Sequence, residues 1–569
     1  MEKQIVSLDE VLRQYEGRRR DALLPALWEI QTAFGHISPE AARQISTALR
    51  VPVADIYGVI GFYSLFSEQP QGETVIHVCT SPSCGLAGAD DLIRATCGEL
   101  GIAPGQTTPD GRYTVRETTC LGLCDHAPAA LVSQRGNGEH SVAPVHSPGE
   151  LTSYSHKPRT ATVDGAKEVF LQGTQPHRPQ TLAEYGDYAA LRHALEHMTP
   201  ERVIEKVEES GLVGRGGAAF PTGRKWRFTR SAPGQPHFVV CNADESEPGT
   251  FKDRVLMEMR PHLLLEGMAL SAYAIGAEQC YLFVRGEYPE ATAILQRAID
   301  EATAAGFLGE RVMGHPFTCR IEIRRGAGAY ICGEETALFE AIEGKRGFPR
   351  IKPPYPTTHG LFNKPTVVNN VETLCVVPGV IENGPDWFRQ WGSQHSTGTK
   401  LVSVSGHVNR PGVYEIPFGI SLRTLLDEYC EGVRGTLRAV LHGGAAGTFL
   451  TPDEIDVPIT FEDLRSIGAT LGSGAIMVFN DTVDVRDVLR RLGAFFEHES
   501  CGKCYPCQLG TQRQMEILNR ADAPLPGDRL RLQDIGQTMT VASLCGLGQT
   551  AAMAVLSAMD KWPELFDSD

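Results

Sequence analysis

Two groups of four cysteines carry the strongest chemical signal in this chain. The first group is spaced C-x4-C and C-x3-C and consists of Cys79, Cys84, Cys120 and Cys124. The second has three cysteines in the run ESCGKCYPC and one in SLCGLG, and consists of Cys501, Cys504, Cys507 and Cys545. Four thiolates are the ligand set of one iron–sulfur cluster. The two different spacings therefore predict two metal sites that hold different clusters.

The spacing of each group favours one cluster type but leaves alternatives open. Two pairs of cysteines on neighbouring loops suit a rhombic [2Fe–2S] unit, although structural zinc also accepts four cysteines. C-x2-C-x2-C with a remote fourth cysteine is typical of a [4Fe–4S] cluster, with zinc or a disulfide as the alternative. The other seven of the fifteen cysteines are scattered among apolar neighbours, and we interpret most of them as buried reduced thiols.

A glycine-rich loop lies in the middle of the chain. The run SGLVGRGGAAFPTGRKW combines Gly214, Gly216 and Gly217 with the cations of Arg215 and Lys225. Glycines let the backbone approach a phosphate, and basic side chains neutralise its charge. The run is not the G-x-G-x-x-G fingerprint, so by itself a tight loop explains it equally well.

Polar side chains follow an apolar strand in HFVVCNADESEPGTFKD, where Asn242, Asp244, Glu245 and Glu247 are close together. Such groups suit the edges of a flavin ring and the hydroxyls of a ribose. A carboxylate beside the adenosine ribose would also repel a 2′-phosphate, which indicates NAD rather than NADP. A solvated acidic turn is the alternative. Further polar groups follow in GAGAYICGEETAL and KPTVVNNVETL.

Five regions and a linker are predicted to position these residues. Helical spacing of apolar residues predicts a helical bundle over residues 1–70, and strands that end near the cysteines predict a small α/β domain over 71–150. Residues 151–189 are polar and are predicted to be a linker. Strands alternate with helices over 190–398, which favours a mostly parallel sheet. Residues 399–482 are predicted to be a small α+β domain, and residues 483–569 to be helical.

Composition excludes several classes of function. The chain has 569 residues and a net charge of −16, which argues against a nucleic-acid partner. No apolar run is long enough to cross a membrane, and the first residues, MEKQIVSLDE, contain no apolar signal core. A cytoplasmic location without direct membrane insertion is therefore expected.

Several motifs together resemble the NADH-oxidising flavoprotein of respiratory complex I and its soluble relatives. They are GRGGAAFPTGRKW, CNADESEPGTFKDR, RGEYPEA, GAGAYICGEETAL, KPPYP, VVNNVETL, ESCGKCYPC and SLCGLGQT, within residues 190–569. Residues 1–150 resemble the separate [2Fe–2S] subunit that accompanies that flavoprotein. The resemblance implies a natural fusion of a helical bundle, a thioredoxin-like ferredoxin domain, a Rossmann-like FMN/NAD domain, a ubiquitin-like (SLBB) domain and a C-terminal helical bundle with an iron–sulfur cluster.

The same resemblance implies two sets of binding residues. The FMN set is Gly214, Arg215, Gly216, Gly217, Lys225, Asn242, Asp244, Glu245, Ser246, Asn369, Asn370 and Thr373. The NAD set is Phe220, Phe228, Glu247, Glu334, Glu335 and Tyr355. No catalytic side chain is implied, because hydride transfer belongs to FMN. Ala219 stands where the family usually has Gly and is expected to add only a methyl group, whereas Gln508 replaces a usual Arg and is expected to alter the charge near the cluster.

The implied function is that of an NADH dehydrogenase (diaphorase) subunit. Hydride passes between NAD(H) and FMN, and single electrons pass through the two clusters to or from a partner catalytic subunit with further iron–sulfur clusters. The sequence contains no molybdenum or nickel ligand set of its own. The fusion most resembles the β subunit of NAD-dependent formate dehydrogenases, and then the diaphorase subunit of NAD-reducing [NiFe] hydrogenases. An NADH:quinone oxidoreductase flavoprotein is less favoured, and the intact GRGG and NADE runs disfavour a non-catalytic electron-transfer adaptor.

Overall fold

The N-terminal region is helical, as shown by a computed structural model that describes residues 7–153, 162–175 and 178–566. Its helices are α1 (Leu8–Arg13), α2 (Leu23–Phe34), α3 (Pro39–Leu49) and α4 (Val53–Ile60). Ser38 caps α3 by accepting the backbone N–H of Ala41, and Pro39 occupies the first turn. Trp28 of α2 donates its indole N–H to the carbonyl of Gly326 at 3.0 Å, which anchors this bundle to the central region.

A mixed four-stranded sheet follows and presents the first cysteine group. Its elements are β1 (Thr74–Cys79), α5 (Pro82–Leu86), α6 (Ala89–Leu100), β2 (Tyr113–Thr118), β3 (Ala130–Gln134), β4 (Gly138–Val142) and α7 (Pro148–Thr152). The strand order is β2-β1-β3-β4, with β1 parallel to β2 and antiparallel to β3. β1 ends at Cys79 and β2 leads into Cys120, so neighbouring strand ends bring the cysteine loops together.

The central region is a parallel sheet covered by helices. Its strands, in the order β8-β7-β6-β9, are β6 (His237–Ala243), β7 (Ala277–Val284), β8 (Arg320–Arg325) and β9 (Thr366–Asn370). Its helices are α8 (Leu182–Tyr185), α9 (Ala189–His197), α10 (Pro200–Glu209), α11 (Thr222–Ser231), α12 (Lys252–Met259), α13 (Pro261–Ile275), α14 (Pro289–Ala304), α15 (Glu335–Ile342), α16 (Pro356–His359), α17 (Val371–Asn383) and α18 (Pro385–Arg389). Asn242 pairs in register with Asn370, so the loops after β6 and β9 meet at one edge of the sheet.

A six-stranded sheet forms the next region and includes a strand from the segment predicted as a linker. Its elements are β5 (Val163–Gly165), β10 (Thr399–Gly406), β11 (Gly412–Pro417), α19 (Leu422–Thr424), β12 (Leu437–His442), β13 (Thr448–Leu450), α20 (Phe461–Ser466) and β14 (Ala475–Asn480). The carboxylate of Glu415 on β11 accepts backbone N–H groups of Val169, Phe170 and Leu171, which fixes the segment after β5. Residues 154–161 and 176–177 of the predicted linker lie outside the described residues. The domain boundaries themselves stay predictions.

The C-terminal region is helical and carries the second cysteine group. Its helices are α21 (Val485–Glu499), α22 (Tyr505–Leu518), α23 (Asp528–Ala542), α24 (Gly546–Thr550) and α25 (Met553–Lys561). The buried apolar residues of this region are continuous with those of the N-terminal bundle and the first sheet, so these regions share one core. The multidomain α/β and α+β fold is confirmed. Among the described helices, none is long and apolar enough to cross a membrane.

Candidate functional site: a cavity between two cysteine groups

A cavity of about 440 Å³ lies where the loops after β6 and β9 meet. Nine residues of the predicted FMN and NAD sets line it, namely Gly216, Gly217, Asn242, Asp244, Glu245, Ser246, Glu247, Glu334 and Asn370. Its remaining walls include loops of the six-stranded region and the start of α24, through Gly443, Ala446, Gly472, Ser473, Gly546, Leu547 and Thr550. The volume is within the range of pockets that bury a cofactor-sized ligand.

The glycine loop brings bare backbone to this cavity. The N–H of Gly214 donates to the carbonyl of Phe220 at 2.9 Å and closes the loop. A Cβ at Gly216 would lie 3.1 Å from the Cβ of Asn370, so a larger residue would intrude on the cavity wall. Ala219 adopts a φ of 51°, where an alanine costs about 1–2 kcal/mol. The expectation that Ala219 adds only a methyl group was therefore incomplete, because the position also strains the backbone.

Arg215 and Thr373 support the glycine loop from behind instead of lining the cavity. The Arg215 guanidinium is buried against the rings of Phe388 and Phe418 and donates to the carbonyl of Thr397 at 2.6 Å. The backbone N–H of Arg215 donates to Thr373 Oγ1 at 2.9 Å. Burial lowers the pKa of Arg215 to about 10. Both side chains thus fix the position of the loop.

Lys225 and Asn369 also lie outside the cavity lining. Lys225 Nζ donates to the carbonyl of Val368 at 3.1 Å and lies 3.9 Å from Glu335 Oε2. Asn369 accepts the indole N–H of Trp226 at 2.8 Å through Oδ1. These contacts join α11 to β9, so the two residues set how the glycine loop sits on the sheet.

The loop after β6 supplies a buried carboxyl group with a free oxygen. Asp244 is buried, and its Oδ2 has no hydrogen-bond partner among the described residues, although Asp244 lines the cavity. Burial raises the pKa of Asp244 to about 8. Buried polar atoms are nearly always satisfied in folded proteins, so this oxygen marks a position for a hydrogen-bonding ligand.

Glu245 has a structural role next to that position. Its carboxylate accepts the backbone N–H groups of Asp253 at 2.6 Å and Arg254 at 2.8 Å, and so caps the N-terminus of α12. Its φ of 39° is in the left-handed region. Burial, together with the negative charge of Asp253, raises the pKa of Glu245 to about 8. Ser246 donates its hydroxyl to the carbonyl of Asp244 at 3.1 Å and tightens the same turn.

A buried ionic network under the cavity was missed by the sequence reasoning. Lys252 Nζ lies 2.7 Å from Asp253 Oδ1 and 2.9 Å from Glu372 Oε2, and Lys400 Nζ lies 2.6 Å from Glu372 Oε2. Asn370 donates its amide to Asp253 Oδ2 at 2.6 Å. Burial alone would raise the pKa of Glu372, but the two ammonium groups outweigh it and the pKa is lowered. The sequence signal for this network was the FKD run directly after the acidic loop. By sequence alone, that segment resembles a solvated turn.

The acidic residues of the predicted NAD set have protein partners. Glu247 accepts the N–H of Ala446 at 2.8 Å and the hydroxyl of Tyr330, and burial raises its pKa to about 7. Glu334 caps α15 by accepting the N–H groups of Thr336 at 2.9 Å and Ala337 at 3.0 Å. Glu247 therefore fastens the loop of the six-stranded region over the cavity, and Glu334 fixes the opposite wall.

The aromatic residues of the predicted NAD set lie on the surface outside the cavity lining. Phe220, Phe228 and Tyr355 are 42%, 44% and 59% exposed. Lys352 Nζ bridges Glu334 Oε1 and Glu335 Oε1 at 2.8 Å each. Exposed rings beside this charged group offer flat faces on which a nucleotide can stack.

The first cysteine group is fully buried, and its thiols are in contact. Cys120 Sγ and Cys124 Sγ lie 3.5 Å apart, and the thiol of Cys79 contacts those of Cys84 and Cys120. The N–H of Gly122 points at Cys120 Sγ at 3.4 Å. Backbone N–H groups aimed at sulfur are what a cluster uses to tune its potential, so the group fits a [2Fe–2S] cluster.

The first cysteine loop is bonded directly to the central region. Arg285 donates to the carbonyl of Cys120 at 2.6 Å, and Arg254 donates to the carbonyl of Gly122 at 3.0 Å. The hydroxyl of Tyr288 packs against Gly122 and donates to Glu245 Oε2 at 3.1 Å. The loop that carries two cluster cysteines therefore touches the loop that lines the cavity.

The second cysteine group surrounds a smaller cavity, which shares a wall with the large cavity described above. Its four cysteines line this space together with Ile331 and Leu547, and those two residues also line the large cavity. The N–H groups of Leu547 and Gly548 face Cys545. The described residues contain no group of three or more His, Cys, Asp and Glu arranged around a single metal ion. Cys507 also contacts the hydroxyl of Ser500 at 3.4 Å.

Family models match three parts of the chain. Residues 207–379 match the Nuo51 FMN-binding domain, and residues 8–146 match the thioredoxin-like [2Fe–2S] ferredoxin. Residues 487–569 match the NADH-ubiquinone oxidoreductase-F iron–sulfur binding region. These matches confirm FMN, NAD(H), a [2Fe–2S] cluster and a [4Fe–4S] cluster as the cofactors.

Similar proteins align either with about two thirds of the chain or with nearly all of it. An NADH-quinone oxidoreductase subunit of Rhizobium meliloti is 46% identical over 67% of this chain and 92% of its own length. The NAD-reducing hydrogenase HoxS subunit alpha of Cupriavidus necator is 36% identical over 98% of this chain and 93% of its own length. A crystal structure of an NAD+-reducing [NiFe]-hydrogenase in the H2-reduced state aligns with a TM-score of 0.85 at 35% identity, covering 96% of this chain and 92% of that chain. The chain therefore belongs to the family of FMN- and iron–sulfur-containing NADH dehydrogenase subunits, in the fused form that also carries the thioredoxin-like ferredoxin.

Proposed function

We propose that this chain passes electrons between NAD(H) and a partner catalytic subunit, and that the 440 Å³ cavity holds FMN. The observation that carries the proposal is the wall formed by Ile331 and Leu547, which separates this cavity from the second cysteine group by single side chains. FMN, when bound, supplies the chemistry by accepting a hydride from NADH and giving up its electrons one at a time. The protein needs only to bind FMN and NADH, orient them towards each other and shield them from water.

The contacts of the lining residues support these binding roles. The pKa of Asp244, about 8, keeps its carboxyl protonated near neutral pH, so it can donate or accept a hydrogen bond at the cavity wall. Gly216 and Gly217 leave the backbone uncovered there, and Lys252, held between Asp253 and Glu372, lines the cavity floor. Glu247 holds the loop of Ala446 across the cavity and so helps to exclude water.

We propose that NADH approaches from the exposed aromatic side. Phe220 and Phe228 project from the region of α11, and the Lys225 ammonium lies 5.9 Å from the Phe220 ring centroid. This surface combines ring faces for the nicotinamide or adenine with nearby positive charge for the pyrophosphate. The individual assignments of the FMN and NAD sets stay predictions.

Anaerobic addition of NADH to the purified chain tests the proposal. We expect FMN, iron and sulfide to be present together, and NADH to bleach the yellow flavin absorption. Gly216→Val should lose FMN, because its Cβ would already lie 3.1 Å from Asn370. Gly98→Val is the matched control, since a Cβ at Gly98 meets nothing within 4 Å. A flavin band that persists after NADH in FMN-replete protein would contradict the proposed reaction.

An apolar surface beside the second cysteine group supports docking of the partner there. Tyr505 directly follows Cys504 and is 77% exposed, and Val541, near Cys545, is 76% exposed. Leu509 lies one helical turn beyond Tyr505 and is 49% exposed. Exposed apolar side chains in a cluster mark protein contact sites. Electrons that leave the [4Fe–4S] cluster would pass to the partner through this surface.

The partner subunit is proposed to carry the metal centre at which the second substrate reacts. The similarity to NAD-reducing hydrogenases over nearly the whole chain supports a nickel–iron partner. The motif resemblance that favoured a formate dehydrogenase gained no specific support from the comparisons. Metal analysis of the complex isolated from its native cells separates the two, because nickel indicates a hydrogenase whereas molybdenum or tungsten indicates a formate dehydrogenase. A cytoplasmic location stays a prediction.

A further inference from the structure

A third cavity lies between the N-terminal bundle and the first sheet, away from the FMN site. It has a volume of about 60 Å³, and its lining includes His77, Arg116 and Arg135. His77 on β1 and Arg116 on β2 are register partners, so they share one face of the sheet, and that face looks toward Trp28 and Gln31 of α2. No part of the proposed electron-transfer function uses this space.

The cavity is lined by polar groups that lack partners. His77 is only 8% exposed, and neither of its ring nitrogens has a hydrogen-bond partner among the described residues. Arg135 Nε is likewise buried and unpartnered, although its Nη2 donates to the carbonyl of Gln71 at 3.0 Å. Within the described residues, the Arg116 guanidinium forms no ion pair or hydrogen bond. Each unsatisfied buried donor costs about 1–3 kcal/mol, so a ligand that satisfies them would bind favourably.

Charge at the cavity favours an anion. Two carboxylates line it, but Glu139 already pairs with Arg325, and Glu73 is exposed to solvent. Arg116 and Arg135 therefore leave positive charge facing the space. Guanidinium groups bind oxyanions strongly through paired N–H donors, and a neutral histidine adds a further donor. The volume suits a few water molecules or one small oxyanion.

We propose that this cavity is a binding site for a small oxyanion of the size of phosphate. β1 runs from His77 to Cys79, and β2 runs from Arg116 toward Cys120, so the site lies behind two ligands of the [2Fe–2S] cluster. A bound anion adds negative charge near that cluster and disfavours its reduced form. Occupancy would therefore lower the reduction potential of the [2Fe–2S] cluster and leave the [4Fe–4S] cluster unchanged.

Inorganic phosphate is the test ligand, added to the full chain with both clusters at constant ionic strength against chloride. We expect a saturable rise in thermal midpoint and a lower [2Fe–2S] potential in EPR redox titration. Arg116→Gln and His77→Leu should abolish both effects. Arg112→Gln should keep them, because Arg112 lies over the Tyr113 ring outside the cavity lining.

Three results would overturn the site. They are equal phosphate effects in wild type and Arg116→Gln, a response that does not saturate, and a phosphate-soaked crystal with only water beside His77. If His77→Leu fails to fold, Arg116→Gln decides alone, since its side chain is partly exposed. These readouts do not require NADH oxidation, so failure of the FMN proposal would leave them intact.

Discussion

The loop that carries Cys120 and Cys124 is predicted to be held in place by the close contact of Gly122 with Tyr288. Gly122 lies between Cys120 and Cys124 with a φ of 64°. A Cβ built there would overlap the Tyr288 hydroxyl and lie 2.7 Å from its Cζ. Gly122→Ala must therefore displace Tyr288, whose hydroxyl donates to Glu245 at 3.1 Å.

The loss of stability expected for Gly122→Ala is measured against a matched control variant. Gly136→Ala places alanine at a φ of 74° in the same sheet region, but its Cβ would meet nothing within 4 Å. Both variants carry the left-handed strain of about 1–2 kcal/mol, and the comparison cancels it. Overpacking adds about 1–3 kcal/mol and the lost hydrogen bond about 0.5–1.5 kcal/mol. Gly122→Ala should therefore be less stable than Gly136→Ala by roughly 1.5–4.5 kcal/mol.

Hydrogen exchange followed by mass spectrometry on peptides that cover residues 113–130 measures this difference locally. A penalty of about 1.5 kcal/mol or more corresponds to at least a roughly tenfold faster exchange of the loop amides relative to Gly136→Ala. Tyr288→Phe in the Gly122→Ala background removes the overlapping hydroxyl and should recover part of the protection. Equal exchange rates in the two alanine variants would show that the cysteine loop does not rest on Tyr288, and would refute the interface.

Further predictions concern the clusters and the buried carboxyl group. Cys84→Ser should remove one EPR signal and leave NADH reduction of an artificial dye largely intact, whereas Cys504→Ser should block electron transfer to the partner. Loss of flavin reduction in Cys84→Ser would refute the idea that the [2Fe–2S] cluster is a side branch of the electron path. Asp244 has a folded pKa of about 8 against about 3.9 unfolded, so its folded form keeps a proton that the unfolded form loses, and stability falls as pH rises between these values. In FMN-free protein, Asp244→Asn should therefore gain stability relative to wild type by up to about 1.4 kcal/mol per pH unit from pH 5 to 8, measured by denaturant unfolding. Glu184→Gln is the control without such a slope, because Arg178 holds the pKa of Glu184 at about 2, and a flat Asp244→Asn difference would contradict the burial of that carboxyl.

The sequence predicted the cysteine groups and the order of the regions because those signals are local. The apolar strand β1 ends at Cys79, and the spacing within ESCGKCYPC places three cysteines in one short segment at the start of α22. The parallel sheet followed from the alternation of strands and helices, and the register of Asn242 with Asn370 then brought two predicted loops together. Short-range patterning thus predicted the elements, whereas the pairing of β6 with β9 that joins the two loops is a long-range contact.

The rest of the site depends on tertiary contacts that no local pattern encodes. Lys400 reaches Glu372 from the six-stranded region, and Gly443 and Gly472 line the cavity from the same region. Arg215 has the residue type of a phosphate ligand, but the rings of Phe388 and Phe418 bury it behind the loop. Whether a charged residue lines a cavity or supports its wall is decided by which distant side chains pack against it.

A buried ion pair fixes the ferredoxin region against the central region, and the fusion of the two regions in one chain preserves this contact. Arg254 lies 3.1 Å from Asp125 beside the first cysteine group, and both side chains are almost fully buried. Removing one partner of such a pair costs about 3–5 kcal/mol, because the other charge is left without compensation. Glu499 adds a second connection, since it accepts the Thr119 hydroxyl at 3.1 Å and the Tyr330 N–H at 2.8 Å. A separate ferredoxin subunit would lose these contacts on dissociation, whereas covalent linkage keeps the two partners at a high effective concentration and holds both cluster loops against the wall of the FMN cavity.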